Sequence, residues 1–146
     1  MKLFTIGFTE TSAEHFFARL TRAQVRTVLD VRLDNTSPLA GFAKVRDLPW
    51  LLKSLAGIRY AHHPIMAPTP EMLAAYHNSP GTQEERWPAY AARFLALMRE
   101  RKIEHQLDPV ALDRGCLLCI DAKPDFCHRR LVAEYLAAHW PMPPHG

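Results

Sequence analysis

No run of about 18–20 uninterrupted apolar residues occurs, because Arg, Lys, Glu or Asp breaks every apolar stretch, and a membrane-spanning helix is excluded. Blocks of one charge are missing too. Lys and Arg total 18 against 15 Asp and Glu, a net charge of +3, which leans toward anionic partners without making a polyelectrolyte. Cysteine is scarce: Cys116, Cys119 and Cys127 are an odd number that cannot pair off fully, which argues against a disulfide framework. Neither G-x-G-x-x-G nor a lysine-bearing P-loop occurs, and Gly7 is the only glycine at a strand end, which argues against a dinucleotide cofactor. No serine-centred nucleophile elbow is present. The segment Met1-Lys2-Leu3-Phe4-Thr5-Ile6-Gly7 has too short an apolar stretch and no small-residue cleavage site for a secretory signal, so a cytoplasmic location is expected.

What is there fits one globular unit. The chain has 146 residues, 48% hydrophobic and 23% charged, far from the composition of a disordered chain. A single domain over residues 1–140 is expected, with the proline-rich tail 141–146 frayed.

Alternating signals along the chain predict an α/β sandwich with a mostly parallel sheet flanked by helices. Lys2 to Ile6, closed by Gly7, reads as a buried strand. Thr11-Ser12-Ala13-Glu14 fits a capping box for a helix whose stripe is Phe16, Phe17 and Leu20. Val25 to Arg32 is a second strand, and strand, helix, strand in about 30 residues implies a right-handed crossover. Leu33 to Arg46 shows no period and reads as a long loop of the kind that binds something. Asp47 caps a helix ending before Gly57, and Ile58 to His62 forms a third strand. Thr69-Pro70 starts another helix, and Trp87-Pro88 opens a longer one with Tyr90, Phe94, Leu97 and Met98 on its inner face. Cys116 to Ile120 is a fourth, buried strand. Asp125 caps the last helix, whose inner face is Leu131, Val132, Tyr135 and Leu136. Trp50, Trp87 and Trp140 read as core or helix-end packing.

Ligands of parallel sheets bind beyond the carboxyl ends of the strands, and the polar residues that fall there form a coherent set. They are Thr9; Asp30 and Arg32, which share one side of their strand; His62 and His63; and Cys119 and Asp121. The last helix adds Cys127, His128 and Arg129 in its first turn, where backbone amides, the helix dipole and neighbouring cations lower a thiol pKa. Cys119, within an apolar strand, reads more readily as core filler, as does Cys116. Arg32 and Arg129 are the anion-binding candidates, with a structural ion pair from Arg32 to Asp30 or Asp121 as the alternative. A metal site would draw on Cys119, Cys127, His128 and His62 or His63, but the gap between the cysteines lacks the short spacing of structural zinc modules, so no metal is assigned.

The pieces Thr5-Ile6-Gly7-Phe8-Thr9, Asp30-Val31-Arg32, Gly57-Ile58-Arg59-Tyr60 and Leu118-Cys119 through Cys127-His128-Arg129, in this order, resemble the family catalogued as domain of unknown function 488. Ser37-Pro38-Leu39-Ala40-Gly41-Phe42 looks like one subgroup's version of the long loop. The resemblance spans almost the whole chain and implies a single α/β domain without naming an activity. From the residues, the expected function is a thiol-dependent enzyme whose pocket takes an anionic ligand, nucleotide-like or derived from nucleic acid. Cys127, His128 and Asp30 would be its catalytic groups, and Arg32, Arg129, Thr9, Ser37 and Cys119 its binding groups. The alternatives are a non-catalytic module for phosphate or nucleic acid, and a Cys/His metal-binding protein.

Overall fold

A computed structural model describes residues 2–9, 11–33, 38–44, 46–119, 126–140 and 144–145. Its frame is a parallel sheet. Strands β1 (Leu3–Gly7), β2 (Thr27–Asp30), β3 (Arg59–His62), β4 (Gly115–Cys119) and β5 (Pro144–His145) lie in the order β3-β2-β4-β1-β5. The last strand of the core, β4, sits between the first two: Leu3 and Thr27 both register with Gly115, and Ile6 and Asp30 both with Leu118. All pairings are parallel, so β1 to β4 end on one edge, as the alternation of elements predicts. Within the tail, Pro144 and His145 pair with Leu3 and Phe4; the rest of it lies outside the described residues.

The helices are α1 (Ala13–Arg22), α2 (Leu48–Ala56), α3 (Pro70–Asn78), α4 (Gln83–Arg101), the single turns α5 (Ile103–Gln106) and α6 (Pro109–Leu112), and α7 (His128–His139). Strand alternation divides the core in two. Phe16, Phe17, Leu20, Leu48 and Leu52 pack on the face that presents Ile6, Val28, Cys116 and Leu118. Phe94, Met98, Leu131, Val132 and Leu136 pack on the face of Leu3, Leu29, Leu117 and Cys119. Two faces covered by helices make the sandwich the sequence predicts. No helix among the described residues is long and apolar enough to cross a membrane.

Several helix starts differ from expectation. Ser12, not Thr11, caps α1, its side chain accepting from the His15 amide at 3.1 Å. Asp47 stands at the N-cap of α2 but makes no side-chain capping bond, while Gly57 closes that helix in the left-handed region at φ 64°, as its position predicts. The long helix α4 starts at Gln83 rather than at Trp87. Thr82 and Glu85 form a complete capping box there, and Pro88, the sixth residue of the helix, stands inside it, where its missing amide forfeits one bond. Asp125 lies outside the described residues; the N-cap of α7 is Cys127, with extended backbone at φ −127°, ψ 138°, so this cysteine precedes the first turn instead of sitting in it. Trp87 and Trp140 are buried as expected, whereas Trp50 is exposed on α2.

Between Leu33 and Arg46 the described part holds a short 3-10 segment, Pro38–Ala43, kinked at Gly41. Two arginines tie the loops and helices together. Arg101 of α4 donates from Nη1 to the carbonyls of Ile65 at 2.7 Å and Ala67 at 2.8 Å, clamping the turn after β3 to the long helix. Arg86 donates to the Tyr76 carbonyl at 3.1 Å and stacks its guanidinium 5.2 Å from the Tyr76 ring, joining α4 to α3.

Candidate functional site

The chain runs from β2 outward to β3 and from β4 in the opposite direction, to α7 and β5, so the crevice between the ends of β2 and β4 is the switch point where open parallel sheets bind ligands. Asp30 closes β2 and Cys119 closes β4. A cavity of about 360 Å³ opens there. Its polar lining is Arg32, His77, Gln83, Cys119, Cys127 and His128, and its walls are aromatic: Tyr76, Trp87, Tyr90 and Phe126. A second hollow of about 410 Å³, between α1 and β1, contains Cys116 but none of the expected site residues.

Asp30 and Arg32 are both buried, and they bond to each other. Arg32 donates from Nε to Asp30 Oδ1 at 2.8 Å, from Nη2 to Oδ2 at 2.7 Å and from its backbone amide to Oδ1 at 3.1 Å. The Tyr60 hydroxyl donates to the same carboxylate. Burial works to raise the Asp30 pKa, but the bonds from Arg32 and Tyr60 outweigh it and hold the carboxyl below its ordinary value. The structural ion pair expected as the alternative for Arg32 is therefore present. It leaves one end of the fork over: Arg32 lines the cavity, and its Nη1, buried, has no hydrogen-bond partner among the described residues. The guanidinium lies 5.3 Å from the Phe8 ring centre.

Opposite, Cys119, Cys127 and His128 converge, with one ligand atom from each all within 4.8 Å of one another. His128 Nε2 lies 2.7 Å from the Val31 carbonyl; a carbonyl only accepts, so Nε2 carries a hydrogen, and in the neutral ring the lone pair is on Nδ1. The Cys119 sulfur lies 3.6 Å from Nδ1 and 3.7 Å from Nε2. The thiol of Cys127 is pushed up, opposite to expectation. Its hydrogen bond with Cys119 and its burial dominate, and the nearby His128 and Arg129 amide do not offset them. Burial likewise pushes Cys116 up to about 12.

The structure thus gathers Arg32, Cys119, Cys127 and His128 around one cavity, with Asp30 behind Arg32. Thr9 and Arg129 do not line it, and Ser37 and Asp121 lie outside the described residues. Arg129 follows His128 by about 100° around the helix, and its charge favours the ionised form of Cys116, though less than burial disfavours it. His62 and His63 stay out of the Cys/His cluster: His62 Nε2 lies 3.0 Å from the Arg32 carbonyl, and the His63 amide donates to the Asp30 carbonyl at 2.9 Å. The aromatic wall was not expected. Trp87 and Tyr90 are one helical turn apart, which reads as core; only the packing of α3 beside α4 shows that their ring faces also bound a cavity.

Among known proteins, neither a curated protein nor a solved structure matches the chain. A family model matches residues 12–136, from the cap of α1 nearly to the end of α7, and so takes in β2 to β4 and the whole Arg32, Cys119, Cys127 and His128 constellation. The chain belongs to the family described as Domain of unknown function DUF488.

Proposed function

We propose that the cavity between β2 and β4 binds a small anionic ligand with a planar body, nucleotide-like in chemistry, in a reducing cytoplasmic setting. The observation that carries this reading is Arg32 Nη1, a buried cationic donor whose two sister nitrogens are held by Asp30 while it has no partner among the described residues. Two N–H bonds left over on a fixed guanidinium, in a residue that lines the cavity, suit a carboxylate or phosphate oxygen. The second supporting feature is the wall. Tyr76, Trp87, Tyr90 and Phe126 offer ring faces and edges for a flat body, and the buried Tyr76 hydroxyl has no partner among the described residues. A volume of about 360 Å³ suits a small molecule. The raised thiol of Cys127 weighs against a resting thiolate nucleophile, so the reading rests on binding, with the sulfurs beside the bound anion.

The test is calorimetric titration with nucleoside monophosphates, aromatic carboxylates and inorganic phosphate, on the native chain and on Arg32→Lys and Tyr76→Phe. Lysine keeps the charge that Asp30 needs but loses the fork. Micromolar binding of a ringed anion, weakened on the order of 10-fold or more by Arg32→Lys, is expected, since a hydrogen bond to a charged group contributes about 1.5–3 kcal/mol. Binding indifferent to both substitutions, or binding only of polymeric nucleic acid with a steep salt dependence, would overturn it.

A further inference from the structure

We infer that Cys119, Cys127 and His128 form a site for one zinc-class transition-metal ion, held by two thiolates and the Nδ1 of the imidazole, with a fourth position open to the cavity. The inference stands on this cluster alone and does not depend on an anion at Arg32.

The donor set comes first. Two sulfurs and an imidazole nitrogen are the ligands that borderline-soft divalent ions prefer, and two thiolates neutralise a divalent charge, so a buried complex carries no net charge. Distances follow. Metal–sulfur bonds of about 2.3 Å and a metal–nitrogen bond of about 2.0 Å at tetrahedral angles place sulfur about 3.5 Å from nitrogen. Cys119 Sγ lies 3.6 Å from His128 Nδ1, and all three donors fall within 4.8 Å. That sulfur is nearly equidistant from both ring nitrogens, so loading requires the Cys119 thiol to swing into line with the Nδ1 lone pair while the ring keeps its bond to Val31.

Orientation is the third argument. A metal-bound histidine normally donates its other nitrogen to a carbonyl or carboxylate, which fixes the tautomer. His128 does so: its Nε2–H is committed to the Val31 carbonyl at 2.7 Å. The supporting elements are rigid, since Cys119 closes the central strand and Cys127 and His128 begin a twelve-residue helix. All three line the cavity, so three protein ligands leave a vertex facing it, the arrangement of an ion that also takes an exogenous ligand. Binding displaces one proton from each thiol to solvent, with no change of oxidation state.

The experiment is a cobalt(II) titration of the reduced, metal-free full-length chain, read by absorbance. One equivalent per chain is expected to give a near-ultraviolet thiolate-to-cobalt charge-transfer band and intense visible bands of tetrahedral geometry, both abolished by added zinc. Cys119→Ser and Cys127→Ser should each remove about half or more of the charge-transfer intensity, while Cys116→Ala, on the opposite face of the sheet, should keep all of it. A native chain with no charge-transfer band overturns the inference whatever the variants do, as does a band lost equally in Cys116→Ala. Titrations at the Arg32→Lys chain separate the two proposals: an intact cobalt spectrum there with lost anion binding leaves the metal site standing alone.

Discussion

Asp30 accepts three hydrogen bonds from Arg32 alone, one from the backbone amide and two from the guanidinium, so a residue two positions on in the chain closes a ring around one carboxylate. The pair is 0% and 1% exposed. Removing one partner of a buried pair strands the other's charge, at about 3–5 kcal/mol. Asp30→Asn should therefore lose that much stability in urea unfolding. A loss under about 1 kcal/mol would show that the carboxylate carries no charge of importance.

His63 gives the fold a dependence on mild acid. Its burial, and next the charge of His62, hold its pKa below the ordinary 6.5. The unfolded chain thus takes up the proton first, and the stability gained from a neutral His63 is complete above pH 6.5 and drains as pH falls through the folded value. The urea midpoint should drop between pH 7.5 and pH 5.5, and His63→Gln should flatten that drop. An equal slope in the variant would assign the effect elsewhere.

The three cysteines are all buried, and the neighbour of Cys127 raises its thiol rather than lowering it. Native alkylation at neutral pH should be slower than in urea by on the order of 100-fold at every cysteine, because reaction waits for local opening. Mass spectrometry of iodoacetamide-treated peptides reads this directly. Rapid, selective modification of Cys127 in the folded protein would restore the thiolate that the first-turn reading requires.

Gly115 is confined by space rather than by backbone angle. A Cβ there would lie 2.7 Å from a Leu29 methyl carbon and 2.8 Å from the Leu112 carbonyl oxygen. Gly115→Ala should cost about 1–3 kcal/mol, the range for overpacking a core. Thr82→Ala, which removes the capping box of α4, should cost about 1 kcal/mol on the surface. Thermal melts that ranked the two the other way would place the weak point of the fold at the helix start.

Strands and strand ends were legible because their signals are local: β-branched runs, a closing Gly7, and Asp30 and Arg32 two apart. The place of β4 was not, since no short window records which strands pair. The start of α4 was written in Thr82-Gln83-Glu84-Glu85 but masked by the stronger expectation that Trp87-Pro88 opens a helix. The Cys/His cluster escaped the spacing test because that test describes tight knuckles; here a strand end and a helix start converge in three dimensions, and separation along the chain is no guide. Arg129 does not line the cavity that Cys127 and His128 line, a separation that reading Cys127-His128-Arg129 as one motif does not show.

The insertion of β4 between β1 and β2 also dictates an order of events during synthesis. When β1, α1, β2, α2 and β3 have all left the ribosome, β2 and β3 can pair, yet β1 still lacks both of its neighbours in the finished sheet. It gains the first only when Gly115–Cys119 emerges and slides into the gap, a closure spanning most of the chain. Long-range closures of this kind are slow and leave apolar strand edges open meanwhile. The crevice whose two lips belong to β2 and β4 comes into being in the same step that completes the fold.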